Sequence, residues 1–539
     1  MGQPQALERI AGYVERHRLV LDTPGLAVGL THRDGSLGVL TDGLANVDAG
    51  APVEPRHRFQ IASISKGFTA IALLQEWEAG RLDLDARVDE VLPWFEVRSG
   101  FAPITLHHLL SHTSGIPCGM DTTGEAAAEV WSLREMPTGF APGERFLYSN
   151  LGYKALGLVL ERVTDRPWWE TVYERVMAPI GMADANVIIT NDTRPGLAVG
   201  YASPFDDRPW LPRHGWAPST WYESATADGT ICATAEELAA YARMLLRRGE
   251  GVLSERGFAR MVEPVIEDPE APGHRFGYGI KWIEQPGVRP LLGHSGGMTG
   301  FTSYVLVDPE AGVGVSVLMN SAYGERLPLA RFALACLAAE VEGEPLPEVP
   351  EPRDRRSLED GGDFVGTYRD ASGAVEVVAE GGGLSLRVAD GSAPLVPYGQ
   401  DRFVVDDPEL ERYPFDVFRD DGVVTQAGWG PRWLVNERYT GPTSFAPPEG
   451  WRAFVGRYRS WNPWAPSFEV FLRRGQLWLG FEGDALDWGG DLPMTELPDG
   501  SFRVGKAWAP DRVRFDTEVD GRARRAVLDA APFYRVVTG

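Results

Sequence analysis

The sequence predicts an α+β protein in which a large part of mixed helices and strands precedes two small antiparallel β-domains. Over residues 1–342, apolar side chains recur at helical spacing in some segments and alternate as in strands in others. The next segment, 343–357, is rich in proline and charged residues, which is typical of a linker. Beyond it, the hexapeptide Phe364–Arg369 recurs as Phe454–Arg459, and both copies continue with strand alternation and glycine-centred turns. We therefore predict a large domain over 1–342, a linker over 343–357, and closed β-barrels over 358–445 and 446–539.

Composition disfavours several classes of partner. The 539-residue chain has a formal net charge of −24, which disfavours binding to nucleic-acid phosphates and to anionic membrane surfaces. Charged residues such as Glu8 and Arg9 interrupt the N-terminal segment, so it lacks the apolar core of a secretory signal. Cys118, Cys232 and Cys336 are too few and too scattered for a disulfide framework, and they fit a reduced compartment. We expect a cytoplasmic protein with no nucleic-acid or membrane partner.

Several elements of the large domain can be predicted individually. The spacing of apolar residues predicts a helix over Gln5–Arg18, and two apolar runs flanking Asp34-Gly35 predict a β-hairpin. Thr105 is expected to cap a short helix. Thr234 and Glu237 have the spacing of a capping box, which predicts the start of a further helix.

The stretch Phe59–Ala70 contains the strongest candidate for a catalytic site. Its apolar pattern changes from extended to helical, which places Ser63 at a helix N-terminus and Lys66 on the same face one turn later. A desolvated lysine can take the proton of a serine hydroxyl, whereas a helix cap beside a solvated lysine is the simpler interpretation of the pair alone. Lys66 is the only charged residue between Arg58 and Glu76, so we expect it to be buried. A lone buried lysine requires a functional or structural reason.

Three histidines, His107, His108 and His112, follow the Thr105 cap. No carboxylate or cysteine lies near them at ligand spacing, so we interpret them as structural histidines rather than as a metal site. Nothing else in the sequence indicates a metal ion or an organic cofactor.

Two further segments offer side chains to a cleft. Tyr148 and Asn150 lie at the junction of an extended segment and a helix, although a helix cap beside a half-buried tyrosine also explains them. Trp210, Trp216 and Trp221 lie on a proline-stiffened loop. Such aromatic residues commonly pack on their own domain, and they are also candidates for contacts with a substrate.

The segment Leu291–Phe301 raises a rival hypothesis. It contains a G-x-S-x-G pattern, which in an α/β-hydrolase would make Ser295 the nucleophile of an elbow between a strand and a helix. The residues that follow, Phe301–Asp308 and Gly312–Met319, instead predict two consecutive β-strands. The elbow therefore lacks the helix that it requires.

Taken together, three motifs resemble those of a known superfamily. Ser63-Ile64-Ser65-Lys66, Tyr148-Ser149-Asn150 and His294-Ser295-Gly296, in this order, resemble the S-x-x-K, Y-x-N and H-x-G motifs of the penicillin-recognising serine hydrolases. The class C β-lactamase-like branch is the most similar, and the His107–Pro117 run resembles a non-catalytic signature of that branch. The resemblance covers about residues 5–340 and implies an antiparallel sheet flanked by helices, plus an all-α subdomain. With two lipocalin-like barrels added, the layout is similar to that of D-aminopeptidase.

The resemblance also implies a role for each motif residue. Ser63 would be the acylated nucleophile, and Lys66 and Tyr148 would share the work of general base. Asn150 would orient Lys66 and the substrate. The backbone N–H groups of Ser63 and Gly297 would form the oxyanion hole.

His294 is a departure from the β-lactamases that the chain resembles, because they carry a lysine at this position. A histidine is mostly neutral at pH 7, so the site lacks the fixed cation that suits the carboxylate of a β-lactam. The H-x-G motif is similar to that of D-aminopeptidases, D-amino-acid amidases, some esterases and macrocyclising thioesterases. Ser295 and Gly296 complete this motif and are candidates for substrate contacts.

The sequence thus predicts an acyl-serine hydrolase that cleaves an amide or ester bond, with D-amino-acid amides or short peptides as the favoured substrates. A carboxylesterase or an acyl-transferring, thioesterase-like enzyme is the alternative. A β-lactamase is disfavoured by His294, and a non-catalytic sensor is disfavoured because Lys66, Tyr148 and Asn150 are all present. The sequence indicates no oligomeric state.

Overall fold

The computed structural model describes residues 5–351, 358, 361–389, 391–481 and 490–536. The chain divides into two compact units, of which the first covers Met1–Ala202 and Ala217–Pro352, and the second covers Ser203–Trp216 and Arg353–Gly539. Residues 352–357, the end of the predicted linker, lie outside the described residues. The predicted α+β class is confirmed, because the first unit combines helices with a large sheet and the second contains two closed barrels.

All α-helices of the described chain lie in the first unit. Their bounds are α1 Gln5–Val20, α2 Ser65–Glu78, α3 Val88–Val91, α4 Leu106–Leu110, α5 Ala126–Trp131, α6 Asn150–Thr164, α7 Trp168–Val172, α8 Ala235–Leu246, α9 Glu255–Val262 and α10 Arg326–Glu342. The predicted caps are confirmed, since Thr105 and Thr234 each form a capping box at the start of α4 and α8. No helix among the described residues is both long and apolar enough to cross a bilayer.

An antiparallel sheet organises the first unit. The strands of this unit are β1 Gly25–His32, β2 Gly35–Asn46, β3 Ala51–Pro52, β4 Phe59–Gln60, β5 Tyr201–Ala202, β6 Ala217–Pro218, β7 Cys232–Ala233, β8 Ile266–Glu267, β9 His274–Phe276, β10 Lys281–Gln285, β11 Val288–Met298, β12 Phe301–Asp308 and β13 Val313–Met319. The large sheet has the order β3-β2-β1-β13-β12-β11-β10-β9-β8, while β4 pairs with β7 and β5 pairs with β6. Strands β1 and β2 form the predicted hairpin.

Helices cover both faces of this sheet. Helices α1 and α10 pack on one face, where their apolar side chains share a core with Val28, Leu306 and Val315. On the other face, α8 approaches so closely that a Cβ on Gly29 would overlap the carbonyl oxygen of Ala235. Helix α2 packs against α6 and α8, and all of its residues from Ser65 to Leu74 are buried.

The second unit contains two closed antiparallel barrels. The first barrel consists of β14 Gly366–Asp370, β15 Gly373–Glu380, β16 Gly383–Val388, β17 Gly391–Gly399, β18 Arg402–Val405, β19 Phe415–Asp420, β20 Val423–Trp429 and β21 Arg432–Val435. The second consists of β22 Gly456–Arg459, β23 Ser467–Arg473, β24 Gln476–Phe481, β25 Leu492–Glu496, β26 Phe502–Val504, β27 Arg512–Val519, β28 Arg522–Leu528 and β29 Ala531–Arg535. The prediction of two β-barrels from the repeat is confirmed.

The repeated hexapeptide occupies the same place in both barrels. Tyr368 in β14 and Tyr458 in β22 are fully buried. Each phenol donates a hydrogen bond of 2.8 Å to the carbonyl oxygen four residues earlier, that of Phe364 or Phe454. The repeat thus encodes a tyrosine that ties the first strand of each barrel to the turn before it.

The segment Ser203–Trp216 connects β5 to β6 but belongs to the second unit. Its side chains meet the fully buried carboxylate of Glu411, which accepts hydrogen bonds from Arg208 at 3.0 Å and from Arg213. His214 Nε2 lies 2.8 Å from the same carboxylate. The negative charge of the buried Glu411 is therefore balanced by the positive charges of Arg208 and Arg213.

Candidate active site

Ser63 lies on a single 3-10 turn, Ala62–Ile64, that leads directly into α2. From Phe59 to Leu74, Ser63 is the only residue that is not buried. The preceding residue, Ala62, has a φ of 50°, a left-handed conformation that costs a non-glycine residue about 1 kcal/mol. Such strain is concentrated at functional sites, and here it precedes the one hydroxyl that the segment exposes.

Lys66 is fully buried beneath Ser63, as the sequence predicts. Its Nζ atom lies 3.0 Å from Ser63 Oγ, 2.8 Å from Asn150 Oδ1 and 2.8 Å from the backbone oxygen of Asp228. None of these three oxygen atoms carries a full charge. The amine is therefore held in contact with the serine hydroxyl by neutral partners.

Tyr148 completes the group around Lys66. It precedes α6, whose first turn is capped by the Ser149 hydroxyl through a 3.1 Å hydrogen bond from Gly152 N. The Lys66 Nζ atom lies 5.0 Å from the centre of the Tyr148 ring. Burial raises the pKa of Tyr148 above its usual value, although the charge of Lys66 and hydrogen bonds to Lys66 and Ser63 act in the opposite direction. The resting site consequently holds a phenol rather than a phenolate at neutral pH.

His112, which the sequence predicts to be a structural histidine, contacts this tyrosine. Its ring stacks on that of Tyr148, with centroids 4.3 Å apart and an interplanar angle of 25°. Its Nδ1 atom accepts a 3.1 Å hydrogen bond from the backbone N–H of Ser149, so Nε2 carries the proton. Burial, followed by the nearby Lys66 and His294, holds the pKa of His112 well below the usual value. The ring is therefore neutral, and no local sequence signal indicates its contact with Tyr148.

The other two histidines of this run have separate partners. His107 Nδ1 lies 2.6 Å from the hydroxyl of Tyr278, and His108 takes part in the capping box with Thr105. Both histidines thus act within the structure of the first unit.

The end of β11 forms the opposite side of the site. Pairing of β10 with β11 stops at Lys281 and Gly293, while pairing with β12 continues to Met298. The free edge of β11 lies against the Ser63 turn, because a Cβ on Gly296 would overlap the carbonyl oxygen of Ile61. Glycine at this position permits the close approach of the two backbones.

The next residue, Gly297, is exposed and has open space beside its Cα atom. The backbone N–H groups of Ser63 and Gly297 stay the predicted oxyanion hole. Ser295 lies inside β11, and a turn rather than a helix leads from β11 to β12. The secondary structure around Ser295 is thus the one that the sequence predicts, and it does not form a nucleophile elbow.

His294 is buried and neutral. Its Nδ1–H group donates a 2.6 Å hydrogen bond to the backbone oxygen of Ser295. Burial and then the charges of Lys281 and Lys66 lower the pKa of His294 to about 3, although this hydrogen bond acts in the opposite direction. Its ring centroid lies 6.4 Å from that of Tyr148. The site therefore carries no cation at the His294 position at neutral pH.

The three tryptophans predicted as substrate contacts lie in different surroundings. Trp210 is buried, donates a 2.9 Å hydrogen bond to Gly215 O and stacks on Trp216 with centroids 4.3 Å apart. Both belong to the segment Ser203–Trp216 of the second unit. Trp221 belongs to the first unit, where its Nε1 atom donates to Asn191 Oδ1 over 3.1 Å. Contact of these residues with a substrate stays a prediction.

Known proteins match this chain in both sequence and fold. Residues 13–339 match the family model described as Beta-lactamase. The chain is 29% identical to Penicillin-binding protein 4 of Amycolatopsis lactamdurans over 366 residues, which cover 65% of this chain and 94% of that protein. It is similar to the octameric penicillin-binding protein homologue from Pyrococcus abyssi, with 25% identity, a TM-score of 0.61, and coverage of 80% of this chain and 99% of that chain. The D-amino acid amidase from Ochrobactrum anthropi SV3 shares the fold, with 22% identity, a TM-score of 0.52, and coverage of 63% and 99%.

Proposed function

Because the chain belongs to the β-lactamase family and is a serine hydrolase of the β-lactamase and penicillin-binding-protein superfamily, we propose that it cleaves amide or ester bonds through an acyl-enzyme on Ser63. D-amino-acid amides and short peptides are the proposed substrate class. The observation that carries the proposal is the 3.0 Å contact between the buried Lys66 Nζ and Ser63 Oγ, the only hydroxyl that this segment exposes.

The proposed acylation step begins when Ser63 Oγ attacks the carbonyl carbon of the substrate. The hydroxyl proton passes to the pair formed by Lys66 and Tyr148, and the carbonyl oxygen becomes an oxyanion. The N–H groups of Ser63 and Gly297 would donate hydrogen bonds to that oxyanion. When the scissile bond breaks, the Tyr148 hydroxyl protonates the leaving amine or alcohol, which leaves an ester on Ser63.

Hydrolysis of this ester completes the proposed cycle. A water molecule attacks the acyl carbon and gives one proton to the Lys66–Tyr148 pair. The C–O bond to Ser63 then breaks, and Ser63 Oγ recovers a proton as the carboxylic acid leaves. The raised pKa of Tyr148 supports its role as proton donor, because the phenol holds its proton in the resting site.

The neutral His294 supports amide or ester substrates over β-lactams. With a pKa of about 3, the imidazole supplies no positive charge for the carboxylate of a β-lactam at neutral pH. The sequence resemblance to D-aminopeptidase, with its H-x-G motif and two barrels, supports an aminoacyl substrate. The D-amino acid amidase named above is a fold relative whose name matches that substrate class.

The nucleophile is tested by covalent labelling. The purified protein is incubated with a fluorophosphonate, digested and mapped by mass spectrometry, with Ser63→Ala and Ser295→Ala as matched variants. We expect the adduct on the Ser63 peptide in wild type and in Ser295→Ala, and none in Ser63→Ala. An adduct that survives in Ser63→Ala and disappears in Ser295→Ala would overturn the mechanism.

The substrate class is tested by steady-state kinetics. Matched D- and L-aminoacyl amides and p-nitrophenyl esters are compared by kcat/KM, with Ser63→Ala as the control for background hydrolysis. We expect turnover of amides with a preference for the D-isomer. Turnover of esters alone would replace the proposed amidase activity by the carboxylesterase alternative.

A further inference from the structure

Asp228 contacts the Lys66 amine, and two hydrogen bonds from residues of α2 hold its backbone in place. Its backbone oxygen accepts the 2.8 Å hydrogen bond from Lys66 Nζ, and the preceding carbonyl, that of Ala227, accepts one of 2.8 Å from the hydroxyl of Thr69. The carboxyl group of Asp228 is buried, and its Oδ1 atom has no hydrogen-bond partner among the described residues. A buried carboxylate thus stands on the residue that contacts the proposed general base.

Lys154 places a positive charge near Asp228. It follows Asn150 by one helical turn on the same face of α6 and is fully buried. Its Nζ atom forms ion pairs with Asp121 and, at 2.5 Å, with Glu129. Burial lowers the pKa of Lys154, but the carboxylates of Asp121, Asp228 and Glu129 outweigh it and hold that pKa well above the usual value. Lys154 is therefore a cation throughout the neutral range.

Most other groups around the Lys66–Tyr148 pair are uncharged. Those that face it from neighbouring elements are His112, Cys118, Tyr153 and His294, with Lys281 next to His294. Burial lowers the pKa of His112 and His294 and raises the pKa of Tyr153, so these three rings are neutral at pH 7. Lys154 and Lys281 are also charged, but Asp228 is the charged residue whose backbone contacts the Lys66 amine.

We propose that Asp228 and Lys154 are positioning residues whose opposite charges set the pH at which the Lys66–Tyr148 pair can take the proton of Ser63. This inference rests on the proposed function, because it requires Ser63 to be the nucleophile. Whichever member of the pair releases its proton, the pair loses one positive charge. A nearby negative charge therefore opposes that release, and a nearby positive charge promotes it.

The test measures how fast a fluorophosphonate labels Ser63 as a function of pH, followed by intact-protein mass spectrometry. Asp228→Asn removes the negative charge while keeping the size of the side chain, so we expect the midpoint of the rate profile to fall by about 0.5–1 pH unit. Lys154→Gln removes the positive charge, so we expect the midpoint to rise by about the same amount.

Glu129→Gln is the matched control, since it makes the same carboxylate-to-amide change in contact with Lys154 rather than with Lys66. The Glu129 carboxylate contacts Lys154 Nζ and does not contact Lys66 Nζ. We expect its midpoint to stay within about 0.3 pH unit of wild type. A merely structural role would slow the labelling in every variant without moving midpoints in opposite directions.

The outcomes separate this inference from the proposed function. If wild-type Ser63 is not labelled at any pH, the proposed function is wrong. If Ser63 is labelled and the Asp228→Asn midpoint is unchanged, raised, or matched by that of Glu129→Gln, the inference alone is overturned. If thermal unfolding shows that Lys154→Gln does not fold, the comparison of Asp228→Asn with Glu129→Gln still tests the inference.

Discussion

The first unit buries two lysines completely among its described residues, and their surroundings differ in one respect. Lys66 contacts a hydroxyl, an amide oxygen and a backbone carbonyl, all of them neutral. Lys154 contacts the carboxylates of Asp121 and Glu129. Carboxylates stabilise the charged form of a lysine, whereas neutral oxygens supply no such counter-charge. The difference makes Lys154 a fixed charge and supports the proposed role of Lys66 in proton transfer.

The largest effect is expected from Lys66→Met, which removes the amine and keeps the length of the side chain. We expect the rate of Ser63 acylation to fall by about 10³- to 10⁴-fold, because the serine loses its base. The free energy of unfolding should fall by about 1–2 kcal/mol, since the variant removes the donor to the neutral oxygens of Asn150 and Asp228 but breaks no ion pair. Stopped-flow acylation and urea unfolding measure the two quantities. A loss of several kcal/mol in stability would make Lys66 a structural lysine like Lys154.

The reverse pattern is expected from Lys154→Met. Its removal leaves the half-buried carboxylate of Asp121 and the buried carboxylate of Glu129 without a counter-charge, so the free energy of unfolding should fall by about 3–5 kcal/mol at pH 7. The folded-state pKa of Lys154 is raised, so its contribution is fully present below the unfolded pKa of about 10.4 and is lost as the pH rises towards the folded value. Urea unfolding of wild type and variant at pH 7 and pH 11 checks this sign. A difference in stability that grows above pH 10 would contradict it.

The smallest effect is expected from His294→Gln, which exchanges one neutral side chain for another. Acylation should slow by about tenfold, through the loss of the hydrogen bond that fixes the ring. The midpoint of its pH profile should not move, because an imidazole with a pKa of about 3 carries no charge above pH 5. A titration near pH 6 that is present in wild type and absent in His294→Gln would show that His294 is protonated in the working range.

Much of the fold follows from local patterns in the sequence. The capping boxes at Thr105 and Thr234 depend on residues three positions apart. The Asp421-Gly422 turn has φ values of 49° and 80°, which suit the type I′ hairpin that this dipeptide predicts. Local patterns do not predict that the Ser203–Trp216 segment belongs to the second unit, because its place there depends on contacts with Glu411 about 200 residues away.

The candidate site also combines features that local patterns predict with features that depend on contacts between distant segments. The burial of Lys66 was predictable, because Lys66 is the only charge in an apolar segment whose serine lies three residues earlier. Lys154 has the appearance of an ordinary charged residue on a helix, and its partners Asp121, Glu129 and Asp228 lie in other segments. His112 likewise meets Tyr148 only through the tertiary fold. Contacts between distant segments leave no periodic signal in one sequence.

Acylation of Ser63 by the substrate is the step on which the proposed mechanism depends. It is tested most directly by acid-quenching the protein during turnover of a D-aminoacyl p-nitroanilide and mapping the acyl group by mass spectrometry. We predict the added acyl mass on the peptide that contains Ser63, and its absence from Ser63→Ala. An acyl group on any other residue, or turnover that persists in Ser63→Ala, would show that Ser63 is not the nucleophile.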